Sequence, residues 1–133
     1  MITSTDVEVA ARRIAGHVRR TPAVDVGPWW LKLEQLQHTG SFKPRGAFNR
    51  ILSAMEHGAL PKAGVIAASG GNAGLGVAYA ASTLGVPAEI WVPEQAPTVK
   101  VERLRKLGAE VVASGNEYAD AYDGAVKRAA DTG

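Results

Sequence analysis

From Gly64 onward the chain alternates short apolar runs with helix-patterned stretches, and this alternation constrains the fold more than any other feature. "GVIAAS" is a short apolar run bounded by turn residues and reads as a buried strand. "NAGLGVAYAASTLG" reads as a small-residue helix, and "AEIWVP" as a second strand. "APTVKVERLRKLG" reads as a charged helix, "AEVVAS" as a third strand and "NEYADAYDGAVKRAA" as a third helix. Strands joined through helices imply right-handed crossovers. The expected fold class is therefore α/β, an open three-layer parallel sheet in a βαβαβα unit. Gly85 and Gly108, each just past a helix, are C-cap signals.

The stretch before this unit is less regular. Thr5-Asp6-Val7-Glu8 fits a capping box, with Thr5 as N-cap and Glu8 three residues on. Val7, Ala10, Ala11, Ile14, Ala15 and Val18 keep the helical period, so the helix is expected to continue until Thr21-Pro22. Trp30, Leu31 and Leu33 predict a strand ending near Leu36, followed by a loop over 37–42. Pro44 suits the first turn of a helix, where its missing N–H costs nothing, and that helix is expected to reach about Glu56. One clear strand cannot close a sheet by itself. The chain also stops after a helix, where the alternation calls for a strand, so the expectation is a piece of a larger protein.

Composition removes several function classes. There is no cysteine, hence no disulfide and no thiolate chemistry. Fifteen basic residues against thirteen acidic ones are too balanced to indicate a nucleic-acid surface. The cluster Arg12, Arg13, Arg19 and Arg20 reads as a solvated helix face. His17, His38 and His57 lack metal-ligand spacing, so no metal is expected. No run approaches membrane-spanning length and no signal-peptide pattern opens the chain, so the expected location is cytoplasmic, with no membrane partner.

Two short stretches carry the chemistry. "ASGGNAGLG" joins the first repeated strand to its helix, at the carboxyl end of a parallel sheet where ligands bind. Gly70 and Gly71 allow close backbone approach, and the helix start offers N–H groups and a positive dipole end to an anion. The glycines do not give G-x-G-x-x-G, nor does Gly-Lys-Ser/Thr follow, so neither a dinucleotide fingerprint nor a phosphate loop is present. The residues alone leave two readings open, a tight strand–helix turn or a carboxylate or phosphate site. The second stretch is "HTGSFKPRGAFNR". A lysine is a nucleophile only when its amine is neutral, which burial or a neighbouring cation promotes. Phe42 beside Lys43 is expected to help desolvate it, and the helix start and Arg45 to add positive potential. The other reading is an amphipathic lysine snorkelling at a helix start.

"SFKPRGA" at 41–47 and "SGGNAG" at 69–74, at this separation, together resemble the fold-type II pyridoxal-phosphate enzymes, and within them the threonine/serine dehydratases and serine racemases. "RRTPAV", "LKLEQLQHTGSFKPRGAFN", "GVPAEIWVPEQAPTVKVERLRKLGAEVV" and "EYADAYDGA" share the family's character, so the resemblance covers almost the whole chain. It implies pyridoxal 5'-phosphate as cofactor, held as a Schiff base on Lys43. Phe42 would pack near the ring and Asn72 would hydrogen-bond its phenolic oxygen. Ser69, Gly70, Gly71, Asn72 and Ala73 would hold the substrate carboxylate. Tyr122 falls where the family often has a substrate-facing residue. The implied reaction takes a small hydroxy amino acid: the freed neutral lysine removes the Cα proton, the β-hydroxyl leaves, and the product becomes a 2-oxo acid and ammonia.

The resemblance also assigns residues 1–55 to an incomplete N-terminal segment of the cofactor-binding large domain. Residues 56–133 become most of the small domain, with the last strand missing. The family's chains are more than twice as long, and its cofactor-phosphate loop lies beyond this chain. Alone, the chain is expected to be inactive, and to form a homo-oligomer or contact the missing C-terminal part. Two positions depart from the family pattern. Ala73 stands where many members have histidine. Gly70 stands where the racemases have a serine, and a racemase needs an acid on the face of Cα opposite the lysine. Gly70 cannot supply one, which favours elimination. A racemase, another enzyme of the fold type and a non-catalytic binding module are the alternatives.

Overall fold

The structure, a computed structural model, describes residues 1–132. Its first helix, α1 (Ser4–Arg13), is capped by Thr3 rather than Thr5. The Thr3 Oγ1 accepts from the Asp6 N–H at 3.2 Å, and the Thr3 N–H donates to Asp6 Oδ2 at 2.8 Å. Hydrogen bonds from Thr3 hold the Asp6 carboxyl below the usual range. The sequence offers the box twice, Thr-x-x-Asp and then Thr-x-x-Glu, and the earlier one starts the helix. α1 also ends sooner than its apolar period suggests, because Gly16 turns the chain out of the helix at φ 84. Arg13 then ties α1 forward, to Glu56 at 2.7 Å and to Asn49 at 2.7 Å.

The next segment contains two strands where one was expected. β1 (Ala23–Asp25) and β2 (Trp30–Lys32) form an antiparallel ribbon, with Ala23 opposite Lys32 and Asp25 opposite Trp30. Asp25 Oδ1 accepts from the Gly27 N–H at 2.9 Å and closes the connecting turn. β2 stops at Lys32, four residues short of the expected end, and Glu34–Leu36 form a 3-10 turn. Glu34 breaks the extended run because its carboxylate turns inward to Arg45. A second such turn, His38–Gly40, occupies the expected loop. α2 (Lys43–Glu56) follows, with Pro44 in its first turn and its end where the sequence put it.

The repeated unit folds as its alternation dictates. β3 (Val65–Ala68), β4 (Ala88–Val92) and β5 (Glu110–Ala113) form a parallel sheet in the order β3-β4-β5. Val65 lies beside Ala88, and Glu89 beside Glu110. α3 (Asn72–Thr83) and α4 (Thr98–Lys106) cover one face of the sheet, and α5 (Tyr118–Thr132) covers the other. Gly85 and Gly108 adopt φ 69 and 84 after α3 and α4, as C-caps do.

α3 is the pivot. On its sheet side Leu75 and Ala78 pack with Ile90, Val92 and Leu104. On its far side Ala80 and Ala81 pack with Phe48 and Ile51 of α2 and with Ile14. A helix buried on two sides must be apolar nearly all round, and its small residues let both neighbours come close. Through this double contact the segment before residue 56 is carried on the small α/β unit. No described helix is long and apolar enough to cross a membrane.

Candidate functional site

The turn after β3 is set from both ends. The Ser69 N–H donates to the Trp91 carbonyl at 3.1 Å, which extends the sheet by one bond. Gly71 precedes α3 in an extended conformation, and no side chain caps the helix. The first helical bond runs from the Leu75 N–H to Gly71 O at 3.1 Å, so the N–H groups of Asn72, Ala73 and Gly74 stand ahead of the helical ladder. Gly71, Asn72 and Ala73 are exposed. The Gly71 N–H itself donates to Ser69 Oγ at 3.3 Å, leaving the Ser69 hydroxyl proton to be given elsewhere. Gly74 is required here, since a Cβ would sit 1.9 Å from Ser69 O. Chemically the turn is an uncapped helix start with a hydroxyl and an amide beside it, suited to a small anion.

Lys43 packs against α3 through its backbone. Gly76, one helical turn past Asn72, is the point where α3 meets the start of α2. A Cβ at Gly76 would lie 3.0 Å from the carbonyl carbon and Cβ of Lys43 and 3.1 Å from Pro44 N. The lysine backbone thus abuts α3 about 6 Å along the axis from Asn72. This contact has no sequence signature beyond a glycine inside a small-residue helix.

Two expectations about the lysine's surroundings are corrected. Phe42 does not cover Lys43. It is 57% exposed, and Lys43 Nζ lies 4.8 Å from its ring centroid, so the ring is a cation–π platform under an exposed amine. Arg45 does not add free positive potential, because its guanidinium grips Glu34, with Nε to Oε2 and Nη2 to Oε1 both at 2.8 Å.

The remaining candidates separate. A cleft of about 250 Å³ on the other flank of the turn is lined by Gly70, Gly71, Asn72, Leu75, Lys100 and Arg103. Lys100 and Arg103 are not among the residues expected from sequence, although their spacing of three on one helix puts both on the same face. Tyr122 lies on α5, across the sheet from α3, half exposed, with its ring 6.2 Å from Tyr118. His17 stacks on Phe48 and His38 on Tyr79, at 5.2 and 4.7 Å. Burial, with the charge of Arg19, lowers the His38 imidazole below its ordinary range.

The chain is similar to known proteins over nearly its whole length. The family model described as pyridoxal-phosphate dependent enzyme matches residues 14–133. An L-threonine ammonia-lyase of Thermotoga maritima is 43% identical over all of this chain and 35% of its own length. One of Geobacter sulfurreducens is 40% identical with the same coverage. Among solved structures, a threonine deaminase from T.th. matches with a TM-score of 0.84 at 38% identity, over 98% of this chain and 43% of that one. A pyridoxal 5'-phosphate-dependent aspartate racemase matches with a TM-score of 0.85 at 36% identity, over 98% and 43%. The chain thus spans about 35% of the length of these curated relatives.

Proposed function

The chain belongs to the pyridoxal-phosphate-dependent enzyme family, and from that premise we propose that the whole protein is an ammonia-lyase that converts L-threonine or L-serine to a 2-oxo acid and ammonia. The observation that carries the reading is the seating of Lys43 against Gly76, one turn from the uncapped start of α3. The threonine ammonia-lyase relatives support the choice of reaction. In this reading residues 1–55 belong to the cofactor-binding large domain and 56–133 to the small domain.

The donor set fits the aldehyde and ring edge of the cofactor. Lys43 offers a primary amine in open space, Phe42 offers an exposed ring face, and Asn72 offers an amide at the turn. Bound pyridoxal phosphate supplies a ring that takes up the charge left when Cα loses a proton. Lys43 would hold the cofactor through its amine, and that amine, when free and neutral, would take the Cα proton. The N–H groups of Asn72 and Ala73 and the Ser69 hydroxyl hold the substrate carboxylate. That contact fixes Cα relative to the lysine, as near-attack positioning requires.

The test is Lys43→Ala in the whole protein. Dehydration should fall to background, since the covalent hold and the base are lost together. Residual activity above about one part in a hundred, the most that loss of a general base worth about 10²–10⁴-fold leaves, would refute the assignment.

A further inference from the structure

Gly76 fixes the start of α2 on one side, and a polar clamp holds it on the other. Arg45 follows Lys43 by two residues, about 200° around the helix. Its fork meets both oxygens of Glu34 at 2.8 Å, and its Nη2 also donates to Arg19 O and Thr21 Oγ1 at 3.2 Å each. The Thr21 hydroxyl donates to Glu34 Oε1, and Lys32 Nζ donates to Thr21 O and Oγ1. The Glu34 and Arg45 side chains are only 18% and 30% exposed. Three separate stretches, around residues 20, 33 and 45, therefore converge on one guanidinium. The helix end itself offers little orientation. α2 has no side-chain cap, and the Lys43 N–H reaches only Ser41 Oγ, at 3.4 Å.

We propose that Glu34 and Arg45 are positioning residues for Lys43: their two-pronged pair sets the rotation of the first turn of α2 and so presents the lysine amine beside the Ser69–Ala73 turn. The inference rests on the role given to Lys43 above. A two-pronged pair resists rotation where a single point contact does not, which is why arginine and lysine differ at this position. Loss of the fork lets the turn swivel about the Gly76 contact. The amine then keeps its chemistry but loses its aim.

The experiment compares three forms of the whole protein: unmodified, Arg45→Lys and Arg13→Ala. Arg13→Ala breaks the α1–α2 pair Arg13–Glu56 and serves as a control for loosening α2 far from its start. For each form, kcat and KM for L-threonine are measured. The visible circular dichroism of the bound cofactor and the site of its borohydride fixation are read beside them. Arg45→Lys should still fix the cofactor on Lys43. Its kcat should fall about 10- to 100-fold, in keeping with a misplacement of up to 1 Å, with KM changed less than about threefold and the dichroism weakened. Arg13→Ala should keep the kcat and dichroism of the unmodified protein. The proposal is overturned if Arg45→Lys behaves like the unmodified protein, or if both variants lose kcat and dichroism alike. If the unmodified protein fixes its cofactor on a lysine other than Lys43, the underlying reading falls, and the proposal with it.

Discussion

In the proposed reaction, Gly70 is the position that separates two outcomes of Cα deprotonation. Elimination needs only the lysine's side, whereas racemisation needs a proton from the other face. A Cβ at Gly70 would stand 3.6 Å from Val92 Cγ1, ordinary contact distance, so Gly70→Ser should fold. In the whole protein this variant should raise D-isomer formation relative to 2-oxo acid, since a placed acid is worth about 10²–10⁴-fold. Chiral chromatography of the amino-acid pool checks this, and comparable D-serine and pyruvate from the unmodified protein would contradict it. Glu34 gives a second prediction at this scale. Its hydrogen bonds to Arg45, outweighing the cost of burial, hold its carboxyl down to about 2. A depressed carboxyl stabilises the fold above its unfolded value and loses that contribution as pH falls through the folded one. Glu34→Gln should therefore cost about 2 kcal/mol near pH 7, below a fully buried pair because both partners keep some solvent. The gap from the unmodified protein should close between about pH 4.5 and pH 2, as urea denaturation at several pH values will show. Lys43 and the Ser69–Ala73 turn could be nominated from the sequence because each is a contiguous motif. The Glu34–Arg45 pair was not, because its partners are eleven residues apart and meet only when the 3-10 turn bends the chain. Phe42 was misread for a related reason: adjacency to a lysine in sequence does not say whether a ring covers the amine or lies beneath it.

Among the elements, α3 has the least freedom. Gly76→Ala would push a methyl into the backbone of Lys43 at 3.0 Å, where nothing flexible can yield. It should destabilise the chain by about 1–3 kcal/mol, the usual cost of overpacking. Gly46, inside α2, faces no atom within 4 Å, so Gly46→Ala should instead stabilise by about 0.5–1 kcal/mol through helix propensity. Thermal denaturation of the two variants should give shifts of opposite sign, and equal signs would mean that the α2–α3 contact is softer than described. The three parallel strands and their helices were read correctly because burial on both faces of the sheet produces continuous apolar runs. The ribbon was half missed because β1 is three residues long and alternates through a single aspartate, too brief for a period to register. The extent of α1 was overestimated because its apolar period continues past Gly16 while its backbone does not.

For the whole molecule, the chain carries the proposed cofactor lysine and the proposed carboxylate turn while spanning about 35% of its curated relatives' length. The β1–β2 ribbon leaves Trp29 and Trp30 about 70% exposed, with Val24, Val26 and Leu31 beside them. Apolar surface of this kind marks an interface. In our account it meets the remainder of the whole protein. The 133-residue chain alone should therefore show no steady-state dehydration and should self-associate. A polypeptide covering the rest of the relatives' length, added in trans, should reduce that association, which sedimentation with and without it will read. A monomeric chain with full turnover would contradict both halves. The most direct test of the central claim is borohydride reduction of the whole protein with its cofactor bound, followed by peptide mass spectrometry. The account predicts a reduced pyridoxyl phosphate on Lys43 and on no other lysine. An adduct on a different lysine, or an unmodified Lys43 in protein whose yellow colour the reduction has removed, would contradict it.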